Sequence, residues 1–132
     1  SSSTSLVPDF EFTLKSIPLK MQFSRDTLVV SVGKTVSILF ENPDFMQHNL
    51  LIVMPGKLEV VGQAADALMS TPDAAENNYV PQIPEVLFTT RVLNPNERVR
   101  LTFKAPSRPG AYPFVCTFPA HWRIMNGILI VK

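Results

Sequence analysis

The sequence predicts an all-β sandwich or barrel with one helical segment over about 57–70. Three observations carry that expectation. Short runs alternate apolar and polar residues, the period of a half-buried strand, and turn residues separate them. Twelve prolines stand against five glycines, which suits many short strands joined by stiff loops. Only one stretch places apolar residues at three- and four-residue spacing: Leu58, Val61, Ala65 and Leu68, with Ala64, Ala67 and Met69 beside them.

At 132 residues the chain suits one domain with a single core. A hydrophobic content of 45% with a net charge of +1 argues against disorder and against a nucleic-acid footprint. No apolar run reaches the length needed to cross a membrane. The serine-rich start has neither the charge nor the apolar segment of a signal peptide. Residues 1–9 read as a linker and 10–132 as the domain.

Taken in order, residues 10–17 alternate Phe10, Phe12 and Leu14 with Glu11, Thr13 and Lys15, a first strand. Pro18 lacks an N–H and must bend that strand or hold it at a sheet edge, with 19–23 continuing the pattern. Ser24-Arg25-Asp26 turns the chain into a β-rich stretch over 27–32. Gly33-Lys34 then turns it into 35–41, where Val36, Ile38 and Phe40 share a face. Asn42-Pro43-Asp44 ends this strand. The continuous apolar run 50–54 reads as a central strand, and the helix follows Pro55-Gly56. Thr71-Pro72-Asp73 stops the helix, and 73–84 is a polar, proline-rich loop. Strands over 85–92 and 98–105 flank Asn94-Pro95-Asn96. In the second, Arg98, Arg100 and Lys104 share one face, which reads as a solvated strand face before a docking patch.

Chemistry concentrates near the end of the chain. Residues 111–115 and 128–131 read as strands, so the segment between them is a hairpin loop. It holds the only cysteine, one of two histidines and a methionine as Cys116-x4-His121-x3-Met125. Cys116 ends the incoming strand, Met125 begins the outgoing one, and Pro119 restricts the loop between them. The other histidine, His48, lies upstream in Met46-Gln47-His48-Asn49, at the entry to the central strand. Two imidazoles and a thiolate with a weak thioether are the ligand set of a blue-copper electron-transfer site. An isolated Cys in an apolar strand is usually a small buried hydrophobe, and an isolated His or Met needs no ligand role. Here the sole cysteine and both histidines fall into one pattern, and coincidence is the poorer explanation.

The pattern Cys116-Thr117-Phe118-Pro119-x-His121-x-x-x-Met125-x-Gly127, preceded by His48-Asn49, resembles the cupredoxins of the azurin and auracyanin type. The resemblance covers about 10–132. It extends to azurin-like domains at the C-terminal end of larger exported bacterial proteins, in which a segment like 43–50 recurs and a Trp follows the ligand His. It implies a Greek-key β-sandwich/barrel, the cupredoxin fold, with a helical flap at 57–70. It implies one type 1 copper ion held by His48, Cys116 and His121, with Met125 as weak axial ligand. The Gln47 carbonyl is a further axial candidate, at a position where azurins usually carry Gly. Asn49 is implied to tie the ligand loops together near Thr117, and the backbone N–H groups of Asn49 and Phe118 to face the sulfur. An apolar rim around His121, with Phe45, Met46 and Pro119, is implied to dock a redox protein or domain; Trp122 either joins it as an exposed docking residue or packs on its own loop or helix and shields the copper. Export to the periplasm, tethered or free, also rests on the resemblance. The disulfide usual in azurins has no counterpart in a chain with one cysteine.

The leading expectation is therefore a one-electron carrier without enzymatic activity, small-molecule substrate, nucleic-acid partner or membrane insertion. The competing one is a non-redox binding or assembly module of the same fold, its site empty or filled by zinc. Zinc gains little from a thioether and prefers four strong ligands. A multicopper enzyme would need more histidines than two.

Overall fold

The period-two runs pair into two facing sheets, and the alternation of each strand sends its apolar side chains into the space between them. The computed structural model describes residues 7–132, so residues 1–6 of the expected linker lie outside the described part. Asp9 is tied to the domain: its N–H donates to Thr35 O at 2.9 Å, and Thr35 N–H donates to Asp9 Oδ2 at 3.0 Å.

One sheet contains β1 (Phe10–Ile17), β2 (Gln22–Phe23), β4 (Thr35–Glu41) and β7 (Arg98–Lys104), in the order β2-β1-β4-β7. The other contains β3 (Thr27–Val30), β5 (Leu51–Val53), β6 (Val86–Thr89), β8 (Gly110–Val115) and β9 (Asn126–Val131), in the order β3-β9-β8-β5-β6. The chain changes sheet after β2, after β3 and after β4, and these crossings leave β1 and β4, and β3 and β9, paired in parallel. Leu14, Leu28, Ile38, Phe40, Phe114 and Leu129 fill the space between the sheets.

Strand β5 lies inside its sheet and is buried on both faces. Leu50 and Ile52 enter the main core, while Leu51 and Val53 join Val61, Val80, Val115 and Trp122 in a second cluster. Helix α1 (Leu58–Leu68) covers that outer cluster with Val61, Gly62 and Ala65. A cover on both sides is why residues 50–53 are continuously apolar rather than alternating. The helix ends two residues short of the expected 70. There the Ser70 and Thr71 hydroxyls donate to the terminal carbonyls of Ala67 and Leu68 at 2.9 and 2.8 Å.

Two strand expectations need correction. Residues 19–21 are a turn and not a continuation of β1: Leu19 and Met21 adopt φ of 69° and 48°, and only Gln22–Phe23 returns to pair with β1. Proline at 18 and left-handed backbone after it are incompatible with an extended run. Residues 90–92 leave β6 because the Thr90 hydroxyl takes the Leu50 N–H at 3.0 Å, replacing a backbone partner of the ladder. On β7, Arg98, Arg100 and Lys104 face solvent, and Arg100 donates to Ser37 Oγ at 2.8 Å.

Helix α1 and the C-terminal loop meet closely at Gly62. A Cβ at Gly62 would lie 2.1 Å from the Trp122 ring, so only glycine lets the helix sit on the indole. Trp122 Nε1–H donates to Asp66 Oδ1 at 3.1 Å, one helical turn further on. Gly62→Ala is expected to destabilise the metal-free protein by about 1–3 kcal/mol through overpacking, read as a lowered midpoint in chemical denaturation. An unchanged midpoint would show that the indole moves aside freely.

Candidate metal centre

Strand alternation delivers the thiol. Val115 points to the helix side of its sheet, so Cys116 points into the sandwich, where it is fully buried. The loop that follows is wound tightly: His121 N–H donates to Phe118 O at 3.0 Å and Met125 N–H to His121 O at 2.8 Å. Cys116 N–H donates to Met125 O at 3.0 Å and closes the hairpin. Ala120 takes a φ of 71° to make this turn, a strained conformation of the kind that collects at functional sites. The loop thereby turns His121 back over the cysteine.

His48 arrives from the other side. It lies three residues before β5 rather than at the strand's first residue. An isolated bridge to Leu93 holds its backbone, with His48 N–H to Leu93 O at 3.2 Å and Leu93 N–H to His48 O at 2.7 Å. The result is a compact donor set. Cys116 Sγ lies 3.7 Å from His48 Nδ1 and 3.6 Å from His121 Nδ1, and the three donor atoms lie within 4.8 Å of one another. All three residues are buried. Met125 is buried in the same core.

Asn49 joins the two sides. Its Oδ1 accepts Thr117 N–H at 2.7 Å, while its Nδ2 donates to Thr117 Oγ1 at 3.0 Å and to Asn78 O at 2.9 Å. Thr117 Oγ1 donates in turn to Tyr79 O at 2.8 Å. Asn78 and Tyr79 both adopt left-handed backbone, with φ of 57° and 58°, and so aim their carbonyls at this junction. Asn49 N–H also faces Cys116 Sγ at 3.5 Å, with the Phe118 N–H as a second donor to the sulfur.

One buried group went unnoticed in the sequence. Asp44 Oδ2 lies 2.8 Å from His48 Nε2, with both side chains inaccessible to solvent. Its Oδ1 accepts Phe45 N–H at 2.8 Å and Leu19 N–H at 3.2 Å. Burial pushes this carboxyl up, but the hydrogen bonds from His48 and the two backbone amides outweigh it and hold it below the usual carboxylate range. The i,i+4 spacing to His48 was the available signal; Asn42-Pro43-Asp44 read only as a strand end.

Of the two places open to Trp122, an exposed rim and a packed position, the structure shows the second: it is 7% exposed and packed on Gly62, because an indole beside an apolar sheet gains more from burial than from water. Phe45 is 67% exposed, and Met46 and Pro119 are half-buried. Gln47 turns its side-chain amide to Asn94 Oδ1 at 2.6 Å.

Burial raises the Cys116 thiol to about 12, despite the Asn49 and Phe118 N–H groups. It lowers His121 to about 4, with His48 adding to the effect and Asp44 opposing it. At neutral pH the metal-free donors are thus a thiol and, at His121, a bare imidazole. A soft sulfur and imidazole nitrogens, poised on three sides of one point with a buried thioether nearby, fit copper in both oxidation states.

A sequence model of the copper-binding proteins of the plastocyanin/azurin family matches residues 11–132. Auracyanin-A of Chloroflexus aurantiacus is 36% identical over 115 residues, 86% of this chain and 68% of that protein. Auracyanin-B of the same organism is 31% identical over 127 residues, and the match spans half of its length. The solved structure of auracyanin A, described as a "blue" copper protein, superposes with a TM-score of 0.80 at 33% identity, covering 92% of this chain and 98% of that one.

These shifts set a pH window for the metal-free protein. Below 6.5 the unfolded chain protonates His121's imidazole while the fold does not, so stability falls from pH 6.5 to about 4. Above 9 the unfolded thiol ionises first, so the contribution of Cys116 falls from pH 9 towards 12. Denaturation midpoints of the metal-free protein are expected to be highest between these limits. His121→Gln should flatten the acid side, and an acid limb unchanged by it would contradict the assignment.

Proposed function

The chain belongs to the plastocyanin/azurin family of copper-binding proteins, and from that premise we propose how its residues serve the family's redox chemistry. The protein transfers one electron at a time on a single type 1 copper ion. Copper supplies the redox couple, copper(II)/copper(I). The observation that carries this reading is the buried set of His48, Cys116 and His121.

The deprotonated thiol of Cys116 and the neutral imidazoles of His48 and His121 would hold the ion, with the Met125 thioether as a weaker donor. The place of Met125 in the core and its backbone bonds to Cys116 and His121 support that role. The Gln47 carbonyl, adjoining His48, would be a further weak donor. Ligands held by the Asn49–Thr117 junction rearrange little between oxidation states, and a small rearrangement keeps the barrier to electron exchange low. Asn49 and Phe118, by donating to the sulfur, withdraw charge from the thiolate and raise the potential.

Electrons pass at the His121 side of the site, where Phe45, Met46 and Pro119 form the docking rim for a redox protein or domain. Trp122 shields the metal from beneath this surface. The protein is read as a carrier and not as an enzyme, and as periplasmic or otherwise exported, free or tethered to a larger protein. Among the described residues no helix is long and apolar enough to cross a membrane.

One equivalent of copper(II) added to metal-free protein should give an intense blue band and an unusually small copper hyperfine splitting, both absent in Cys116→Ser. A pale spectrum with ordinary splitting in the unsubstituted protein would overturn the reading. Phe45→Lys should leave the band in place. It should slow electron self-exchange between oxidised and reduced protein at least tenfold, by placing like charges face to face; an unchanged rate would remove Phe45 from the docking rim.

A further inference from the structure

We propose that Asp44 is a positioning residue of the copper site: its buried carboxylate fixes the tautomer of His48 and biases the couple toward copper(II). Nothing in the ligand set itself requires an acid at this place. The carboxylate lies on the far side of the His48 ring from the thiol, bound to Nε2 at 2.8 Å, while Nδ1 faces Cys116 Sγ at 3.7 Å.

Oδ1 accepts two backbone N–H groups, from Phe45 and Leu19, and Oδ2 faces the imidazole. A carboxylate oxygen 2.8 Å from Nε2 is placed to accept Nε2–H, which leaves Nδ1, on the thiol side of the ring, as the nitrogen to bind the metal. An Asn here would fail at one end: its carbonyl could serve the backbone amides or the ring, and its NH2 would confront a donor at the other.

The surroundings are built to keep this group in place. Asn42 Oδ1 accepts Asp44 N–H at 3.1 Å and Ser16 Oγ–H at 2.7 Å, and Asn42 Nδ2 donates to the carbonyls of Met46 and Leu93. Leu19, three-quarters exposed and in left-handed backbone, presents its N–H to Asp44 from the turn after β1. That strained turn has no apolar reason to exist, and the carboxylate gives it a partner. No Lys or Arg among the described residues pairs with Asp44; the side chain that meets its carboxylate is His48.

A buried negative charge one imidazole away from the metal acts on the two oxidation states unequally. Copper(II) carries one more positive charge than copper(I), and a carboxylate on Nε2–H makes Nδ1 a stronger donor. Both effects favour copper(II), in a site where little water screens them. Asp44 thus opposes the sulfur-directed N–H groups of Asn49 and Phe118, and the potential reflects the balance.

The inference rests on copper as the metal for its redox half alone, and the test separates the two. In metal-free protein at neutral pH, nitrogen-15 NMR of the His48 ring should show the proton on Nε2; a proton on Nδ1 would overturn the proposal without reference to copper. In copper-loaded Asp44→Asn the blue band should persist. At a fixed ambient potential the ratio of copper(I) to copper(II) should rise about tenfold, equivalent to about 59 mV for one electron. A ratio within twofold of the unsubstituted protein would overturn the proposal. Should Asp44→Asn not fold, the tautomer measurement on the unsubstituted protein still decides it. Failure of that protein to turn blue would defeat the electron-carrier reading and leave the tautomer result standing.

Discussion

The pair of hydrogen bonds between Asn49 and the Thr117 backbone and hydroxyl joins two parts of the chain that are 68 residues apart. Each part brings a metal donor: His48 precedes Asn49, and Cys116 precedes Thr117. Because the amide of Asn49 both accepts and donates across the junction, the loops are held in relative position and not merely near each other. The left-handed carbonyls of Asn78 and Tyr79 complete the junction from a third segment. The chain's own hydrogen bonds therefore hold the ligand loops in register.

The energetics explain why the fold tolerates such a group of polar side chains in its core. Burial keeps the thiol protonated and the His121 imidazole uncharged, so neither of these two donors brings a charge to desolvate. The Asp44 carboxylate is satisfied at both oxygens, which is the condition for burying an ion without a large penalty. The two-sided burial of β5 and of the end of β8 supplies the apolar support. Helix α1 is part of that support, since it clamps Trp122 beneath the ligand loop through Gly62.

Much of this was legible in the residues. The spacing from Cys116 through His121 to Met125, with His48-Asn49 upstream, is specific because each donor type is rare in the chain and every member is needed at once. The strands were legible from alternation, and β5 from its unbroken apolar run. The choice between an exposed and a packed Trp122 was not, because the motif alone does not say which side of the loop the helix occupies; Gly62, where a Cβ would meet the indole, decides it only in the folded chain. The turn at 19–21 was hidden because Leu19 and Met21 are residues that rarely take left-handed backbone. Asp44 was hidden because Asn-Pro-Asp is common turn chemistry, and its second role appears only when the ring of His48 is seen to lie against it.

The central claim is that the donors are preformed. Crystal structures of the metal-free and copper-loaded protein, solved under the same conditions, test it most directly. The account predicts that Cys116 Sγ and the Nδ1 atoms of His48 and His121 shift by no more than about 0.5 Å between the two, with the Asn49–Thr117 bonds intact in both. A metal-free structure in which the 117–125 loop is displaced, or in which His121 points away from Cys116, would contradict it. The metal, and not the fold, would then be what assembles the site.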